Sequence, residues 1–184
     1  MITFVTFLGD LEDTLEVGLE LGAKLLAHPE IPWVIAVEGN LGAGKTSLAQ
    51  GIARGLGVPP AIRVNSPTFS LHQTHMGQVS FHHIDLYRLS DEDELTYLGL
   101  DEVLETGVCF IEWPQRAPFL FSQTPHLKFC LYHLDEWDAQ GGQVDQGFDG
   151  RILTIEGKTE WIEPLTQLSR WMDKSLMFEP KPNK

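Results

Sequence analysis

Cysteine, positive charge and long apolar runs are scarce in this sequence, and each scarcity narrows the class of protein. The two cysteines, Cys109 and Cys130, lie in separate apolar, strand-like runs and form no C-x-x-C motif. A zinc or redox motif is therefore not predicted, and two buried, reduced thiols in a cytosolic protein are expected. No apolar run reaches the ~18 residues of a membrane-spanning helix, and the acidic N-terminal sequence is unlike a secretory signal or a transit peptide. We therefore expect a cytoplasmic protein with no membrane partner.

Positive charge is outnumbered by negative charge. Aspartate and glutamate number 26, lysine and arginine number 13, and the formal net charge is −13. Nucleic-acid binding proteins usually carry a basic surface that neutralises phosphates. If this chain acts in a pathway that involves nucleic acid, we expect another protein to supply most of the nucleic-acid contacts.

A glycine-rich segment has the form G-x-x-x-x-G-K-[ST] and lies between the apolar run WVIAVE and a helix-like segment. Glycines let successive backbone N–H groups curl around an anion, and the N-terminus of the next helix faces the same phosphates. Lys45 would reach the β- and γ-phosphates of a nucleotide, and Thr46 would offer its hydroxyl to Mg²⁺. The segment consists of Gly39, Asn40, Leu41, Gly42, Ala43, Gly44, Lys45, Thr46 and Ser47. We predict that it binds a nucleoside triphosphate.

The order of the segments predicts the fold. Strand-like and helix-like segments alternate at the start of the chain, and strand-like segments cluster later. This order favours an α/β fold of the P-loop NTPase type, with three layers and a mixed, mostly parallel sheet that has antiparallel additions and flanking helices. We predict one domain over residues 1–178, a flexible Gly-rich loop at about 134–150, and a disordered tail at 179–184.

Two helices are predicted on either side of the phosphate-binding segment. The first begins after Asp10, a suitable N-cap, and places four leucines near one face: Leu11, Leu15, Leu19 and Leu26. The second follows the glycine-rich segment and stops at Gly57. Its apolar face consists of Leu48, Ala49, Ile52, Ala53 and Leu56.

Two acidic residues close strand-like runs further along the chain. Asp85 ends VSFHHID, and Glu112 ends VCFIE. A P-loop enzyme needs an acid at the end of a neighbouring strand to organise Mg²⁺ and water. The residues themselves do not rank the two, and either could be a surface carboxylate. We expect at least one of them to contact the metal directly or through one intervening group.

Four other positions, two of them adjacent histidines, have roles that the residues alone leave open. Thr68, in the segment S-P-T, would either sense the γ-phosphate or belong to a simple turn. Trp113 would either pack against a nucleotide base or fill the core. His82 and His83 are adjacent, so on a strand they face opposite sides, and one packed and one exposed histidine are expected.

Three classes of P-loop protein compete for this sequence. A GTPase would need an N-K-x-D string, which is absent, and the one D-x-x-G match, at residues 138–141, lies in the polar loop. A small-molecule kinase usually closes an arginine-bearing lid, and the arginines here are dispersed. A regulatory ATPase with a switch segment and protein partners fits best.

Four segments carry a resemblance to a known family. They are GNLGAGKTS, NSPTFSL, HIDLYRL followed by DEDELTYLGLDEVL, and FIEWPQR, in this order and at compact spacing. Together they resemble the TsaE (YjeE) family of bacterial ATPases. Members of that family act in making N6-threonylcarbamoyladenosine (t6A) beside the anticodon of tRNAs that read codons beginning with A.

The resemblance implies roles for individual positions. It makes Thr46 and Glu112 the magnesium ligands, with Asp85 a nearby acid of functional importance. It places Thr68 in a switch-like loop. Lys45, Asp85, Glu112 and Thr68 form the implied catalytic set, and the nucleotide contacts implied beyond the phosphate loop are Trp113 and Gly150.

The implied activity is that of a Mg²⁺-dependent ATPase, weak alone and stimulated by partners. The partners would be the two proteins of the threonylcarbamoyl transferase complex, of the TsaD and TsaB type, which would also supply most of the tRNA contacts. The ATPase would act on that complex and would not transfer the group itself. The alternative is a small P-loop kinase that phosphorylates a small molecule or a protein.

Overall fold

The structure is a computed structural model that describes residues 2–97, 99–139 and 150–165. The strands of this part of the chain are β1 (Ile2–Leu8), β2 (Trp33–Glu38), β3 (His72–Met76), β4 (Ser80–Asp85), β5 (Val108–Glu112), β6 (Leu127–His133) and β7 (Arg151–Gly157). The helices are α1 (Leu11–Leu26), α2 (Lys45–Gly55), α3 (Glu94–Tyr97), α4 (Leu100–Leu104), α5 (Pro118–Gln123), α6 (Leu134–Ala139) and α7 (Thr159–Ile162). Short 3₁₀ turns span Pro114–Arg116 and Glu163–Leu165.

The strands form a seven-stranded mixed sheet in the order β1-β7-β6-β2-β5-β4-β3. The four central strands β6, β2, β5 and β4 are parallel, while β7 and β3 pair antiparallel at either side of them and β1 pairs antiparallel with β7. The predicted α/β fold, with parallel strands, antiparallel additions and flanking helices, is confirmed. Because the central strands are parallel, the carboxyl ends of β2, β4 and β5 meet at one edge of the sheet, where open α/β sheets bind ligands.

Helices cover both faces of the sheet. One face forms the larger core together with α1 and α2, and the apolar face predicted for α2 is fully buried in it. The other face packs against apolar residues of α3, α4 and α5. The two helices of the first face cross closely, because a Cβ built on Gly22 of α1 would lie 2.2 Å from the carbonyl oxygen of Ile52 in α2.

The predicted apolar face of α1 is wrong, although its N-cap is right. Asp10 accepts a hydrogen bond from the Asp13 N–H at 2.9 Å, as expected. However, Leu11 and Leu19 are 60% and 46% exposed. The buried side of α1 consists of Thr14, Val17, Gly18, Leu21, Gly22 and Leu25. A face with two glycines lets the backbone of α1 approach α2, so contact with α2, and not the leucine pattern, sets the rotation of the helix.

The flexible loop predicted at about 134–150 is wrong in its first part, since residues 134–139 form α6. Two interactions fix this turn of helix. Glu136 accepts a hydrogen bond from the His133 N–H at 2.9 Å, and the ring of Trp137 packs 5.4 Å from that of Tyr132. Residues 140–149 and 166–184, including the predicted tail, lie outside the described residues. In the part that the structure describes, no helix is both long and apolar enough to cross a membrane.

Candidate functional site

The glycine-rich segment forms a loop between the carboxyl end of β2 and the start of α2. Gly39, Gly42 and Gly44 have φ values of 148°, 80° and 102°, which residues with a Cβ rarely adopt. A Cβ on Gly42 would stand in open space, so the loop backbone at this position borders a cleft. No side chain of the described residues caps the N-terminus of α2 at Gly44. The free N–H groups of this helix end can therefore bind an anion.

Lys45 folds back over its own loop. Its Nζ donates hydrogen bonds to the carbonyl oxygens of Gly39 at 2.7 Å and Asn40 at 3.0 Å. It also lies 4.4 Å from the centroid of the Trp113 ring. Burial lowers the pKa of Lys45, while the nearby carboxylates of Glu112 and Asp85 oppose this effect. The ammonium group is thus held at the glycine-rich loop by uncharged carbonyl acceptors that an anion could replace.

Asp85 is buried at the end of β4 and is held by three donors. Its Oδ2 accepts hydrogen bonds from the hydroxyls of Ser66 and of Thr68, the latter at 2.7 Å. Its Oδ1 accepts the Tyr87 N–H at 2.9 Å. The S-P-T segment is therefore tied directly to an acid of the cleft, which a simple turn would not require.

Glu112 ends β5 directly beside Asp85, since the two are register partners on neighbouring parallel strands. Its Oε1 lies 2.9 Å from Nε2 of His83 and 3.5 Å from Oγ1 of Thr46. The structure therefore brings both candidate acids and both candidate phosphate-loop side chains to one edge of the sheet.

The predicted histidine pair is partly confirmed. His82 and His83 face opposite sides of β4, as expected. However, both are buried, with exposures of 7% and 0%, so the prediction of one exposed histidine is wrong. The reason is that β4 lies between β3 and β5 and both of its faces are covered. Burial lowers the pKa of His82 to about 4.

Trp113 has a left-handed backbone, with φ 61°. Its N–H continues the pairing of β5 by donating to Val37 O at 3.2 Å. This conformation turns the indole ring into the cleft, where it lies beside Lys45 and 5.0 Å from the Tyr87 ring. Trp113 therefore lies beside the glycine-rich loop, next to the Lys45 ammonium.

These groups line a cleft of about 430 Å³ on one side of the phosphate loop. Its lining residues are Leu41, Gly42, Gly44, Lys45, Thr46, Ser47, Ser66, Thr68, Asp85, Tyr87, Glu112 and Trp113. A second cleft, of about 300 Å³, shares three of these residues, Gly42, Gly44 and Ser47. The rest of its lining comes from Ala43 of the same loop, from the end of β1 through the start of α1, and from Gly150 and Arg151 at the start of β7. All of the predicted site positions except Gly39 and Asn40 thus line one or both of these clefts, which meet at the glycine-rich loop.

Two loop residues that the sequence predicts as nucleotide contacts, Asn40 and Ala43, have protein neighbours in the structure. Asn40 donates a hydrogen bond to Glu136 of α6, and Ala43 is fully buried. Leu41 is 71% exposed at the rim of the cleft.

Sequence reasoning missed three groups that shape the site: the Ser66 hydroxyl, the Tyr87 N–H and the imidazole of His83. Ser66 could have been found, because it lies two residues before Thr68 with a second hydroxyl. His83 lies two residues before Asp85, so the two share a face of β4. Nothing in the sequence shows that β5 is the neighbouring strand, and so the contact of His83 with Glu112 could not be predicted.

Comparisons with known proteins give one consistent result. The sequence model of the family described as "Threonylcarbamoyl adenosine biosynthesis protein TsaE" matches residues 8–139. The tRNA threonylcarbamoyladenosine biosynthesis protein TsaE of Nostoc sp. is 36% identical over 141 residues, covering 73% of this chain and 81% of that protein. The protein of the same name from Bacillus subtilis is 46% identical over 94 residues, which cover 50% of this chain and 57% of the relative. The crystal structure of Bacillus subtilis YdiB is 27% identical, with a TM-score of 0.63, and the match covers 92% of this chain and 95% of YdiB. The chain therefore belongs to the TsaE family.

Proposed function

We propose that this protein is a Mg²⁺-dependent ATPase of the cytoplasm, required for t6A modification of tRNA. The observation that carries the proposal is the meeting of Lys45 and Thr46 with Asp85 and Glu112 in a single cleft. Membership of the TsaE family supplies the pathway. Nucleotide hydrolysis requires a loop that binds the phosphates and acidic side chains that organise Mg²⁺ and the attacking water.

The phosphate loop would bind the β- and γ-phosphates through its N–H groups and the N-terminus of α2. Lys45 would then exchange its bonds to the carbonyl oxygens of Gly39 and Asn40 for bonds to phosphate oxygens. Because an ammonium bonds charged oxygens more strongly than carbonyls, the exchange favours the bound state. ATP would extend from this loop along the second cleft, past Gly150, while its γ-phosphate would face the two acids.

The donor set at the cleft fits a magnesium ion. The Thr46 hydroxyl and a carboxylate oxygen of Glu112 lie 3.5 Å apart, too far for a strong hydrogen bond, and both are oxygen ligands of the kind Mg²⁺ prefers. These two residues would hold the ion. When bound, Mg²⁺ would neutralise charge on the β- and γ-phosphate oxygens.

Asp85 would orient the attacking water. Three donors fix its carboxylate, and two of them, the hydroxyls of Ser66 and Thr68, belong to the connection between α2 and β3. A change in that connection on loss of the γ-phosphate would therefore change the environment of Asp85. This arrangement supports the role of a switch for the S-P-T segment.

The partners would be the two proteins of the threonylcarbamoyl transferase complex, of the TsaD and TsaB type. Two features support an output through partners. The net charge of −13 disfavours tight tRNA binding by this chain. Large apolar side chains are exposed at and near the nucleotide cleft, including Leu41 at 71% and Phe69 at 84%, and such groups suit a protein contact.

The test is ATP hydrolysis and tRNA modification with and without the partner pair. We expect slow hydrolysis alone, faster hydrolysis with the pair, and loss of t6A formation for Lys45→Ala but not for Lys158→Ala, an exposed lysine outside the cleft. An equal rate with and without the pair, together with intact modification by Lys45→Ala, would refute the proposal. Transfer of labelled γ-phosphate to an acceptor other than water would instead support the kinase alternative.

A further inference from the structure

Glu112 has an unusual environment for an acid that faces a nucleotide cleft. It is 3% exposed, and its contact with His83 is buried on both sides. The Nε2···Oε1 distance is 2.9 Å, whereas the Thr46 hydroxyl is 3.5 Å from the same oxygen. Among the described residues, His83 is thus the one donor that bonds Glu112 closely.

The hydrogen of this bond must lie on the imidazole, because a carboxylate only accepts. Nε2 of His83 is therefore the protonated nitrogen. Nδ1 is buried and has no hydrogen-bond partner in the part of the chain that the structure describes. A bare lone pair at Nδ1 costs less than an unpaired N–H there, so this environment also favours the hydrogen on Nε2.

The histidine itself is fixed by its surroundings. It is fully buried on β4, its ring meets that of Phe110 edge to face at 5.5 Å, and it lies 6.1 Å from the Phe81 ring. Phe81 and Phe110 are themselves fully buried in the larger core. The donor is consequently rigid, unlike the hydroxyl donors of Asp85, which belong to a connection between elements.

We propose that His83 is a positioning residue for Glu112. By donating Nε2–H to Oε1, it fixes the rotation of the carboxylate of this cleft-lining residue, while Oε2 has no hydrogen-bond partner among the described residues. The inference rests on the proposed magnesium–nucleotide site, because it assigns His83 a role toward the residue expected to hold the ion. Hydrogen bonds of this kind orient ligands, and their loss typically lowers metal affinity by about 10- to 100-fold.

Three variants separate this role from a structural one. His83→Phe keeps a ring but removes the donor. His83→Gln keeps an amide N–H that can reach the position of Nε2. The matched control is His75→Phe, since His75 is equally buried on the neighbouring strand β3 and stacks on Phe81, but does not contact Glu112.

Nucleotide binding is measured by calorimetry at increasing Mg²⁺ and without Mg²⁺, with urea unfolding of each variant as the check on folding. We expect His83→Phe to raise the Mg²⁺ concentration at half effect by about 10-fold or more, with binding of ADP in the absence of Mg²⁺ unchanged. His83→Gln should recover much of the loss, and His75→Phe should match the wild type in its Mg²⁺ dependence. A His83→Phe protein with the same Mg²⁺ dependence as His75→Phe would overturn the inference.

The wild-type protein provides a second measurement that depends on neither folding of a variant nor bound metal. A two-bond ¹H–¹⁵N spectrum of the metal-free protein reports which nitrogen of His83 carries hydrogen. We expect hydrogen on Nε2, and a ring with hydrogen on Nδ1 alone would overturn the inference. If wild-type nucleotide binding does not depend on Mg²⁺ at all, the proposed function is wrong. If it depends on Mg²⁺ and His83→Phe behaves like His75→Phe, only the role of His83 is wrong, so the two failures are distinguishable.

Discussion

Replacing Gly22 by alanine tests whether backbone contact between α1 and α2 determines the packing of the larger core. The added Cβ would lie 2.2 Å from Ile52 O and 2.9 Å from the Cα of Gly55. Both are backbone atoms, which cannot rotate away as a side chain can. The two helices must therefore separate.

Two effects of opposite sign determine the result. Alanine in a helix stabilises the folded protein by about 1 kcal/mol relative to glycine, because a chain with alanine loses less backbone entropy when it folds. Overpacking of a close-packed contact costs about 1–3 kcal/mol. The short distance to a fixed carbonyl oxygen favours the upper part of that range, so we expect Gly22→Ala to lower the free energy of unfolding by about 1–2 kcal/mol.

The assay is urea unfolding, with the midpoint and the slope compared with those of the wild type. The matched control is Ala23→Gly, at the adjacent exposed position of the same helix, which should cost about 1 kcal/mol through backbone entropy alone. Because α2 begins at Lys45, we also expect weaker nucleotide binding by Gly22→Ala. A variant as stable as the wild type, or more stable, would refute the reasoning, since propensity alone predicts that sign.

Three further predictions concern the titration of His82, the S-P-T segment and the two thiols. Burial lowers the pKa of His82 to about 4 in the folded state, below that of an unfolded imidazole. The free energy of unfolding should therefore fall as pH falls through 6.5 toward 4, by about 2 kcal/mol at pH 5. The difference between the urea midpoints at pH 7 and pH 5 should be smaller for His82→Gln than for the wild type. Thr68→Val removes a hydrogen bond to the Asp85 carboxylate, worth about 1.5 kcal/mol or more, and should slow single-turnover hydrolysis about tenfold, while Thr68→Ser should not. Burial raises the pKa of the Cys109 thiol to about 12 and also raises that of Cys130, so neither should react with a thiol reagent at pH 8 unless urea is added, and rapid labelling of the native protein would contradict this.

The position of the glycine-rich loop between β2 and α2 could be predicted because its determinants are contiguous. Within nine residues, the glycines allow the backbone conformation of the loop, and Lys45 and Thr46 supply an ammonium group and a hydroxyl. The flanking periodicities place a strand before the loop and a helix after it. The acids could be predicted as a pair for a related reason. Any acid that ends a strand of the parallel region reaches the same edge of the sheet as the loop, whichever strand it is.

The rotation of α1 and the burial of His82 could not be predicted, because both depend on neighbours distant in sequence. Four leucines on one face of a helix normally predict its core side. Here the contact with α2 needs the glycine face, and this takes precedence over the leucines. Likewise, an adjacent pair of histidines has one exposed member only if its strand has one exposed face, and β4 has none.

The ranking of Asp85 against Glu112 shows how strand order adds information that a sequence pattern lacks. In sequence, both are acids at the end of an apolar run. In the structure, the side-chain donors to Asp85 are Ser66 and Thr68, from a connection, whereas the side chain that bonds Glu112 closely is His83, from the middle of the sheet. A carboxylate held by a connection can change its environment when that connection moves, and one held by a buried strand residue keeps it. The two acids therefore differ in what fixes them, and that difference is set by β4 lying next to β5, a neighbour relation between strands that no local pattern specifies.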